Sequence, residues 1–506
     1  MGALVALAVV AATLGWRGLA GGAPTTDWPV WGGNALQDHL APLPTLTPAA
    51  AAHLQPAFTM QLPRQGQTQE GYPVEVGGRL YVSTAGAGVV ALDAVTGAPL
   101  WTRSPRGSGP NRGVAVAGGR LYVLDVHNRL VAVNAADGSP VFDASTVEGI
   151  ADPTGYFEST APIVADGLVL VGVSGGDLGA RGFVEALSAA DGHLVWRFFT
   201  VPPPGQGWVP ATGSHGGGAV WTPVAVDVQA GAVYAAVGNP SPDFYGAGRP
   251  GANPYTDGVV ALDLRSGKLL WYGPEVHHDL WDYDAASPPL LFPLAGGGRG
   301  VGEGGKDGQW YEWDAATGKP LTPPLPFAKQ DHTPPTPQGT LEWPGTWGGA
   351  NYGSSAYDPA TGLAYVAGID KPQIVKGDAT GHHAGAADFG TGMADDPGVP
   401  GTGSVTAIDV ATGKSRWRVP LPRPALGGVT VTSGGLVLLG TVDGTMYGLD
   451  AATGATVWQQ GVGSNVGTAP IAYSMGGRVY VAVALGGGGM GGAVRRDEVK
   501  AWVVGG

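Results

Sequence analysis

Cysteine is absent from the 506-residue sequence. Without thiols the chain can form no disulfide, carry no nucleophilic cysteine and build no zinc–thiolate site. A Cys-x-x-Cys-His haem attachment is excluded for the same reason. Any electrons that leave this protein must therefore pass to a separate carrier.

Charged residues are also scarce. They make up only 13% of the chain, and 40 Asp and Glu against 27 Lys and Arg give a formal net charge of −13. No stretch of the sequence concentrates Lys and Arg into a basic stripe. Because nucleic-acid binding depends on such stripes, the composition argues against nucleic acid as a partner.

Long apolar runs are limited to one short segment at the amino terminus. Residues 3–15 (ALVALAVVAATLG) form an apolar run of thirteen. The run is too short to cross a bilayer comfortably but suits the core of a signal peptide, although no Lys or Arg precedes it. We therefore expect residues 1–24 to be a signal peptide or an N-terminal membrane anchor, and the protein to be periplasmic or otherwise extracytoplasmic.

Glycine, proline and tryptophan are abundant. The chain has 89 Gly, 43 Pro and 16 Trp, and 43% of its residues are apolar. A disordered polymer would not carry so many apolar residues, whereas many short strands joined by tight turns use residues in these proportions. Residues 25–506 are therefore expected to fold as one large β domain.

One sequence pattern recurs along the chain. A strand-like run ends in an Asp-x-x-Thr-Gly turn or a close variant, and a second run with a closing aromatic residue follows, as in VVALDAVTGAPLW at residues 89–101. Asp93 can accept backbone N–H bonds across the turn, Gly97 supplies a left-handed conformation, and Trp101 offers an apolar face to the next unit. Six further copies occupy residues 130–142, 184–196, 259–271, 310–321, 405–417 and 446–458.

These repeats predict an all-β fold, namely an eight-bladed β-propeller with tryptophan-docking repeats. A second hairpin precedes most copies, which makes a four-stranded sheet of each unit. Seven copies are visible, and we expect an eighth blade to form between the final strand GGRVYVAVAL (476–485) and the N-terminal segment around Trp28 and Trp31. The repeats alone imply only blade packing, so they do not by themselves indicate an enzyme.

The chemistry is expected in the long intervals between copies. Two successive turns lie 41 residues apart at Asp93 and Asn134, whereas 95 residues separate the turns at Asp314 and Asp409. Extra residues in a regular scaffold form loops, where function tends to collect. Several of these loops are rich in Asn, Asp and backbone carbonyls, which are hard oxygen ligands suited to calcium-like or lanthanide ions.

The most crowded interval is EVHHDLWDYDAASPPLLF at residues 275–292. Asp279, Asp282 and Asp284 fall within six residues, so their repulsion requires solvent, turn hydrogen bonds or a cation to compensate it. Lys306 and Arg112 lie in or beside other loops of this sparsely charged chain. Their side chains could receive the carboxylates of an anionic ligand.

The order of these loop residues resembles that of the pyrroloquinoline-quinone (PQQ)-dependent alcohol dehydrogenases, the eight-bladed quinoproteins that include methanol dehydrogenase. The resemblance runs from about Trp28 to the C-terminus. It is most specific in GNPSPDFYGAGRPGANPYTDGVVALDLRSGKLLW (238–271) and HHDLWDYD (277–284), which match the family's core block almost residue for residue. It implies oxidation of a small alcohol to an aldehyde with PQQ and a metal ion, and an external electron acceptor such as a cytochrome c.

The resemblance also implies roles for twelve residues, each at a position that matches a family motif. Asp282 matches the catalytic base and a metal ligand. Trp221 matches the indole on which the quinone lies, and Lys306 matches the cation near its ortho-quinone oxygens. The other implied quinone contacts are Glu70, Arg112, Ser159, Gly175, Gly176 and Asn351, and the other implied metal ligands are Asp177, Asn239 and Asp284.

The sequence departs from the family pattern at several positions. Asp177 stands where the family has a metal-binding Glu, Ala219 stands where a cofactor-contacting Thr is common, and the family's vicinal cysteine pair is missing. Asp284 is an additional acid, because calcium-dependent members tend to carry a small residue there and lanthanide-dependent members carry Asp. A further carboxylate suits a trivalent cation better than a divalent one, so a lanthanide is favoured over calcium.

Two alternatives to an active alcohol dehydrogenase stay open. One is a non-catalytic quinoprotein-like propeller that acts as a scaffold in the cell envelope. Such a scaffold would have no reason to keep Glu70, Arg112, Asn239, Asp282 and Lys306 in this order. The other is a degenerate enzyme that binds the quinone but turns over poorly.

Overall fold

Short strands form nearly all of the regular structure. The computed structural model describes residues 26–63, 69–209, 216–381, 385–487 and 496–505. In these ranges one α-helix, Pro48–Ala51, and two 3₁₀-helices, Ala85–Ala87 and Gly176–Leu178, accompany the strands. With at most four residues each, none of these helices could span a lipid bilayer. The predicted signal peptide or anchor, residues 1–24, lies outside the described residues.

The first four sheets along the chain each contain four antiparallel strands. Sheet 1 comprises Val74–Val76, Arg79–Thr84, Gly88–Asp93 and Pro99–Arg103. Sheet 2 comprises Ala115–Ala117, Arg120–Asp125, Arg129–Asn134 and Pro140–Ser145. Sheet 3 comprises Ile163–Ala165, Leu168–Gly172, Phe183–Ser188 and Leu194–Phe199. Sheet 4 comprises Ala225–Asp227, Ala232–Val237, Gly258–Asp263 and Leu269–Pro274.

Four further sheets continue the series. Sheet 5 comprises Leu290–Pro293, Arg299–Gly304, Gln309–Asp314 and Leu325–Pro326. Sheet 6 comprises Ala356–Asp358, Leu363–Asp370, Thr402–Asp409 and Lys414–Leu421. Sheet 7 comprises Val429–Thr432, Leu436–Gly440, Thr445–Asp450 and Thr456–Gly461, with Leu40–Ala41 added in parallel at its edge. Sheet 8 comprises Ile471–Met475, Arg478–Leu485, Glu498–Val504 and the N-terminal strand Leu54–Gln61.

Each of the seven sequence copies supplies the third strand of one sheet, from sheet 1 to sheet 7, and the turn that follows it. In the first copy Asp93 Oδ1 accepts from the backbone N–H groups of Val95 and Thr96 and from the Thr96 hydroxyl, as the turn pattern predicts. Apolar side chains fill the space between neighbouring sheets, for example Tyr234 of sheet 4 with Val301 of sheet 5. This succession of docked sheets is the predicted β-propeller architecture.

The N-terminal segment joins the last sheet, but not through the residues expected. Leu54–Gln61 pairs with one edge of Glu498–Val504, and the strand Arg478–Leu485 pairs with the other edge. Trp28 and Trp31 are buried instead, the second of them against the Tyr72 ring. The expected pairing of the final strand with the segment around Trp28 and Trp31 is therefore wrong, because Trp28 forms an antiparallel bridge with Glu75 of sheet 1 instead.

The closing aromatic residues dock neighbouring sheets onto one another. Trp271 of sheet 4 donates from Nε1 to the Ala315 carbonyl of sheet 5 at 2.9 Å. Its ring lies against Gly318, where an added Cβ would come within 2.7 Å of the indole. Glycine is therefore required in this turn both for its left-handed φ of 68° and for the close approach. Equivalent contacts join Trp101 to Gly138, Trp196 to Gly267 and Trp417 to Gly454.

A small additional sheet is built from the longest interval between copies. This cap sheet comprises Thr340–Glu342, Gln373–Gly377 and Thr391–Asp395. It is inserted before and within sheet 6 and belongs to none of the eight larger sheets. The sequence analysis places functional loops in this interval but does not predict a sheet there.

Replacing Trp271 tests the docking contact. We expect Trp271→Ala to lower the free energy of unfolding by about 3–5 kcal/mol, because a buried indole leaves a cavity when it is truncated. The neighbouring Leu270, which is 52% exposed, provides the matched control Leu270→Ala. Urea unfolding followed by tryptophan fluorescence and circular dichroism measures both variants. Equal effects of the two substitutions would contradict the docking role.

Glu75 makes stability depend on pH. Burial raises the pKa of this carboxyl from 4.5 to about 8, and the hydrogen bond from Gly78 N–H to Oε1 offsets only part of the effect. The folded chain therefore holds a proton that the unfolded chain releases, so stability is full below pH 4.5 and declines as pH rises toward 8.

We expect Glu75→Gln to remove this decline. Between pH 5 and pH 8 the wild type should lose at least about 1 kcal/mol of unfolding free energy relative to the variant. Parallel urea titrations of both proteins across this range provide the measurement. Parallel pH profiles would show that Glu75 is ionised in the folded protein.

Candidate active site

One cavity of about 320 Å³ collects the residues that the sequence singled out. All twelve predicted site residues line it: Glu70, Arg112, Ser159, Gly175, Gly176, Asp177, Trp221, Asn239, Asp282, Asp284, Lys306 and Asn351. They come from loops beside sheets 1 to 6, so the fold brings together positions up to 281 residues apart in the chain. The wall also includes residues that the sequence analysis did not assign, namely Pro110, Phe157, Ser174, Thr346, Tyr352 and Met393.

Arg112 organises one end of the cavity. Its guanidinium forms an ion pair with Glu70 at 2.9 Å and donates to the Ser159 hydroxyl at 2.6 Å. The Ser159 oxygen in turn lies 2.6 Å from Ser174 Oγ. Within the described residues Arg112 Nε and the Tyr352 hydroxyl are buried without a hydrogen-bond partner. Unsatisfied buried donors fit a ligand that brings acceptor oxygens to this end.

Trp221 connects this end to the opposite one. Its backbone carbonyl accepts from Arg112 at 3.1 Å, and the Arg112 guanidinium lies 4.6 Å from its ring centroid. Its indole Nε1 donates to Asp284 Oδ1 at 3.2 Å. One side chain therefore fixes the separation of the two charged ends and presents a flat aromatic surface between them.

Carboxylates and a single ammonium form the opposite end. Lys306 Nζ lies 2.5 Å from Asp284 Oδ2 and 3.1 Å from Asp282 Oδ1, and the lysine is 5% exposed. Asp284 Oδ1 also accepts from the Asn239 backbone N–H at 3.1 Å. In the part of the chain that the structure describes, no three Asp, Glu, His or Cys side chains converge into a ready metal cluster. At this end the Lys306 ammonium takes the position between the carboxylates.

The three predicted carboxylates at this end have different protonation tendencies. Burial raises the pKa of Asp282 well above its usual range, and the charges of Asp284 and Asp177 raise it further, against the opposing effect of Lys306. Burial and the Asp284 charge raise the pKa of Asp177 to about 6. Burial also acts on Asp284, but Lys306, Trp221 and the Asn239 N–H outweigh it and lower the pKa of that carboxyl. The pKa values of Asp282 and Asp284 are therefore shifted in opposite directions, although the two carboxyls share the Lys306 ammonium.

Asn239 and Asn351 are already engaged by neighbouring groups. Asn239 Nδ2 donates to Asp243 Oδ1 at 2.8 Å. Asn351 Nδ2 donates to the Trp347 carbonyl at 3.0 Å, and its Oδ1 accepts from the Tyr352 N–H at 2.8 Å. Asn351 thus shapes its own loop in the cavity wall. The sequence analysis did not assign Asp243. Its position four residues after the predicted metal ligand Asn239 could have indicated a contact between the two side chains.

Small residues allow the loops to approach the cavity. Gly175 has a φ of 99°, and a Cβ there would lie 2.0 Å from the Gly155 carbonyl oxygen. A Cβ on Gly238 would lie 2.2 Å from Asp284 Oδ1. Asp282 itself adopts a φ of 62°, a conformation that non-glycine residues rarely occupy. The backbone that carries Gly175 and Asp282 is thus held in conformations that are uncommon outside functional sites.

Comparison with known families identifies the chain. A PQQ family model described as "Glucose/ethanol/alcohol dehydrogenase, beta-propeller domain" matches residues 28–324 and 327–388. The quinohemoprotein alcohol dehydrogenase of Comamonas testosteroni is 31% identical over 94% of this chain and 75% of its own length. The chain belongs to the PQQ-dependent alcohol dehydrogenases. The family and enzyme class expected from the sequence are confirmed.

Two solved dehydrogenase structures share the architecture. The crystal structure of the quinohemoprotein alcohol dehydrogenase from Comamonas testosteroni matches with a TM-score of 0.84 at 27% identity, covering 95% of this chain and 81% of that chain. A europium-containing methanol dehydrogenase matches with a TM-score of 0.81 at 24% identity, covering 94% and 98%, and shows the common fold. A second family model, that of the outer membrane protein assembly factor BamB, matches residues 401–504.

The packing of Gly238 against Asp284 is testable in this PQQ-dependent dehydrogenase. We expect Gly238→Ala to displace the Asp284 carboxylate and to lower the rate of alcohol-dependent dye reduction about 100-fold, since small misplacements in a site are costly. Gly248 lies in the same loop with open space around it, so Gly248→Ala is the matched control. Comparable activity of the two variants would contradict the contact.

Proposed function

We propose that this protein oxidises a small alcohol to an aldehyde in the described cavity, with PQQ and a metal ion as its cofactors. The observation that carries the proposal is the division of one cavity into a cationic end at Arg112 and an acidic end at Asp282 and Asp284, with the Trp221 ring between them. When bound, PQQ supplies the hydride acceptor, which no side chain of this cysteine-free protein can replace.

We propose that Arg112, Ser159, Trp221 and Asn351 hold the quinone, with Gly175 and Gly176 beside its ring. The unpartnered Arg112 Nε supports this assignment, because PQQ carries carboxylates that such a donor can bind. Glu70 holds Arg112 in place through its 2.9 Å ion pair. The Trp221 indole supplies the flat surface on which an aromatic ring system packs.

We assign the metal ion to Asp177, Asn239, Asp282 and Asp284. The donor set is made of carboxylate and amide oxygens, which suits a hard cation. A bound cation would act as a Lewis acid toward the quinone carbonyl. The additional carboxylate of Asp284 favours a lanthanide over calcium, because a trivalent ion compensates more negative charge. Asp177 is shorter than Glu by one methylene, so its loop must lie closer to the ion.

Asp282 is the proposed catalytic base. Its raised pKa gives the ionised form enough basicity to take the hydroxyl proton of an alcohol. Lys306 lies 3.1 Å from Asp282 Oδ1 and keeps the carboxylate from being neutralised permanently in the buried site. The same ammonium would lie beside an oxyanion that develops on the cofactor.

The proposal also covers the number of blades, the electron acceptor and the cellular location. The closed ring has eight blades, which is supported by the contact of Phe58 in sheet 8 with the Gly97 turn of sheet 1. The chain has no cysteine for a haem attachment, so the electrons pass to a separate acceptor such as a cytochrome c. The proposed location is the periplasm or another extracytoplasmic compartment, which the apolar run of residues 3–15 supports.

A scaffold function is the second candidate, because the match of residues 401–504 to the BamB assembly-factor model favours it. Reconstitution of the purified protein with PQQ and either Ca²⁺ or La³⁺, followed by dye reduction with a series of primary alcohols, separates the alternatives. Alcohol-dependent turnover supports the dehydrogenase. A scaffold would bind no PQQ under either metal, and a degenerate enzyme would bind PQQ without turnover.

Replacing Asp282 tests the assigned base. We expect Asp282→Ala to lower kcat at least about 100-fold, the contribution typical of a positioned general base. The circular dichroism spectrum should be unchanged, because the side chain lines a cavity rather than the core. Asp331→Ala removes an exposed carboxylate outside the cavity and serves as the control. Full activity of Asp282→Ala would remove Asp282 from the mechanism.

A further inference from the structure

A second cavity, of about 470 Å³, has no part in the reaction proposed for the active-site cavity. Its wall comes from the cap sheet, from the connections between sheets 6, 7 and 8, and from the loop that carries Trp347. Its charged residues are Lys371, Arg423, Asp395, Asp396 and Asp443, and Asn465 is among its uncharged polar residues.

The second cavity and the active-site cavity have neighbouring walls. Thr346 lines the active-site cavity, and the next residue, Trp347, lines the second cavity. Met393 and Asp395 lie two residues apart on the cap strand Thr391–Asp395, so their side chains leave the strand on the same side. Met393 lines the active-site cavity and Asp395 lines the second.

A third contact joins two side chains that lack hydrogen-bond partners. A Cβ on Gly467 would lie 3.3 Å from the Tyr352 hydroxyl oxygen and 3.9 Å from Asn465 Nδ2. Tyr352 lines the active-site cavity, and Asn465 lines the second. Within the described residues the Tyr352 hydroxyl and both polar atoms of the Asn465 amide are buried without a partner. Because residue 467 is glycine, it contributes no side chain to the space beside these groups.

Asn465 indicates what kind of ligand the second cavity takes. The residue is 1% exposed, so bulk solvent does not satisfy its amide. Buried polar groups in folded proteins nearly always have partners, and an unpaired one is costly. An amide presents an acceptor and two donors side by side, whereas a hydroxyl group can both donate and accept. A ligand with hydroxyl groups can therefore satisfy both ends of the amide.

The charged residues of the second cavity favour a neutral ligand. Two formal positive charges face three carboxylates, so the wall has no cationic excess that would attract a phosphate or a carboxylate. Lys371 is already paired with Asp395 at 2.6 Å. The remaining groups are the Arg423 guanidinium, which donates hydrogen bonds, and the carboxylates of Asp396 and Asp443, which accept them. Such a set matches a ligand with several hydroxyl groups.

We propose that the second cavity is a distal subsite for the substrate, and that the substrate is a polyol. The reacting hydroxyl group lies in the active-site cavity, and the outer hydroxyl groups bond to Asn465 through the space beside Gly467. This inference rests on the proposed function, because it names the class of alcohol that the active-site cavity oxidises. Asn465 determines specificity in this account and has no part in the chemical step.

Steady-state kinetics of the protein loaded with PQQ and metal test the subsite. Sorbitol and 1-hexanol have six carbons each, but only sorbitol carries outer hydroxyl groups. We expect Asn465→Leu to lower the ratio of kcat/KM for sorbitol to kcat/KM for 1-hexanol about 10–100-fold, because buried hydroxyl groups of sorbitol would be left unpaired. The loss should appear in the KM for sorbitol rather than in kcat, since the lost contact is a binding contact remote from the reacting carbon.

Ligand binding measures the same subsite without turnover. Isothermal titration calorimetry of the purified full-length protein with sorbitol, in the absence of PQQ, gives the Kd. We expect Asn465→Leu to raise this Kd about 10–100-fold. The same substitution should not lower the Tm, because it removes an amide that has no partner in the folded protein. A side chain with a structural role would lower the Tm.

Two further variants separate the subsite from local effects of the substitution. Gln459→Leu makes the same change from an amide to leucine at an exposed position of the edge strand Thr456–Gly461 in sheet 7, and should leave the sorbitol Kd unchanged. Val399→Trp places a large side chain in the wall of the second cavity and leaves Asn465 in place. We expect Val399→Trp to weaken sorbitol binding as Asn465→Leu does.

The outcomes distinguish the inference from the proposed function. Equal sorbitol affinity in the wild type and Asn465→Leu, or no sorbitol binding by the wild type, overturns the subsite. A loss in Asn465→Leu that comes with a lower Tm and is not reproduced by Val399→Trp also overturns it. A wild type that oxidises no alcohol with PQQ and metal overturns the proposed function. In that case, sorbitol binding that depends on Asn465 still supports the second cavity as a polyol site.

Discussion

The Lys306 ammonium between Asp282 and Asp284 is the interaction on which the site depends. Three charged groups removed from water would each be costly alone, and their mutual contacts at 2.5 and 3.1 Å compensate part of that cost. The compensation is incomplete, because burial and neighbouring carboxylates raise the pKa of Asp177 to about 6 and that of Asp243 well above its usual range. In the proposed function, a cation bound among these carboxylates would lie beside the Trp221 ring and the flat ligand on it.

The docked sheets around the cavity position this arrangement. Each sheet is docked onto the next through a closing aromatic residue and a tight glycine turn, as Trp271 is on Gly318. Loops from six successive sheets meet at one cavity. The consequence is that side chains distant in the chain, such as Glu70 and Asn351, are held in one wall. The loops provide the side chains of the cavity, and the docked repeats fix where those loops lie.

Much of the fold was readable from the sequence, since every repeat copy supplies its expected strand and turn. The strand that completes sheet 8 was not readable, because Leu54–Gln61 lacks the repeat signature and the more conspicuous Trp28 pairs with Glu75 of sheet 1. The cap sheet was missed for a similar reason, as its strands carry no turn motif. The cavity residues were found through the family resemblance, whereas Asp243 follows only from a contact that the folded loop creates. Local patterns predict elements, but pairings between distant segments require the three-dimensional structure.

The central claim is that the acidic end of the cavity receives a metal ion beside PQQ. A crystal structure of the protein loaded with PQQ and La³⁺, with anomalous scattering collected for the ion, tests it most directly. The account predicts one strong anomalous peak with oxygens of Asn239, Asp282 and Asp284 at about 2.3–2.6 Å, the range of hard-cation sites. It also predicts planar density for the quinone on the Trp221 ring. Quinone density without a peak at the acidic end, or a peak bound elsewhere, would contradict the claim.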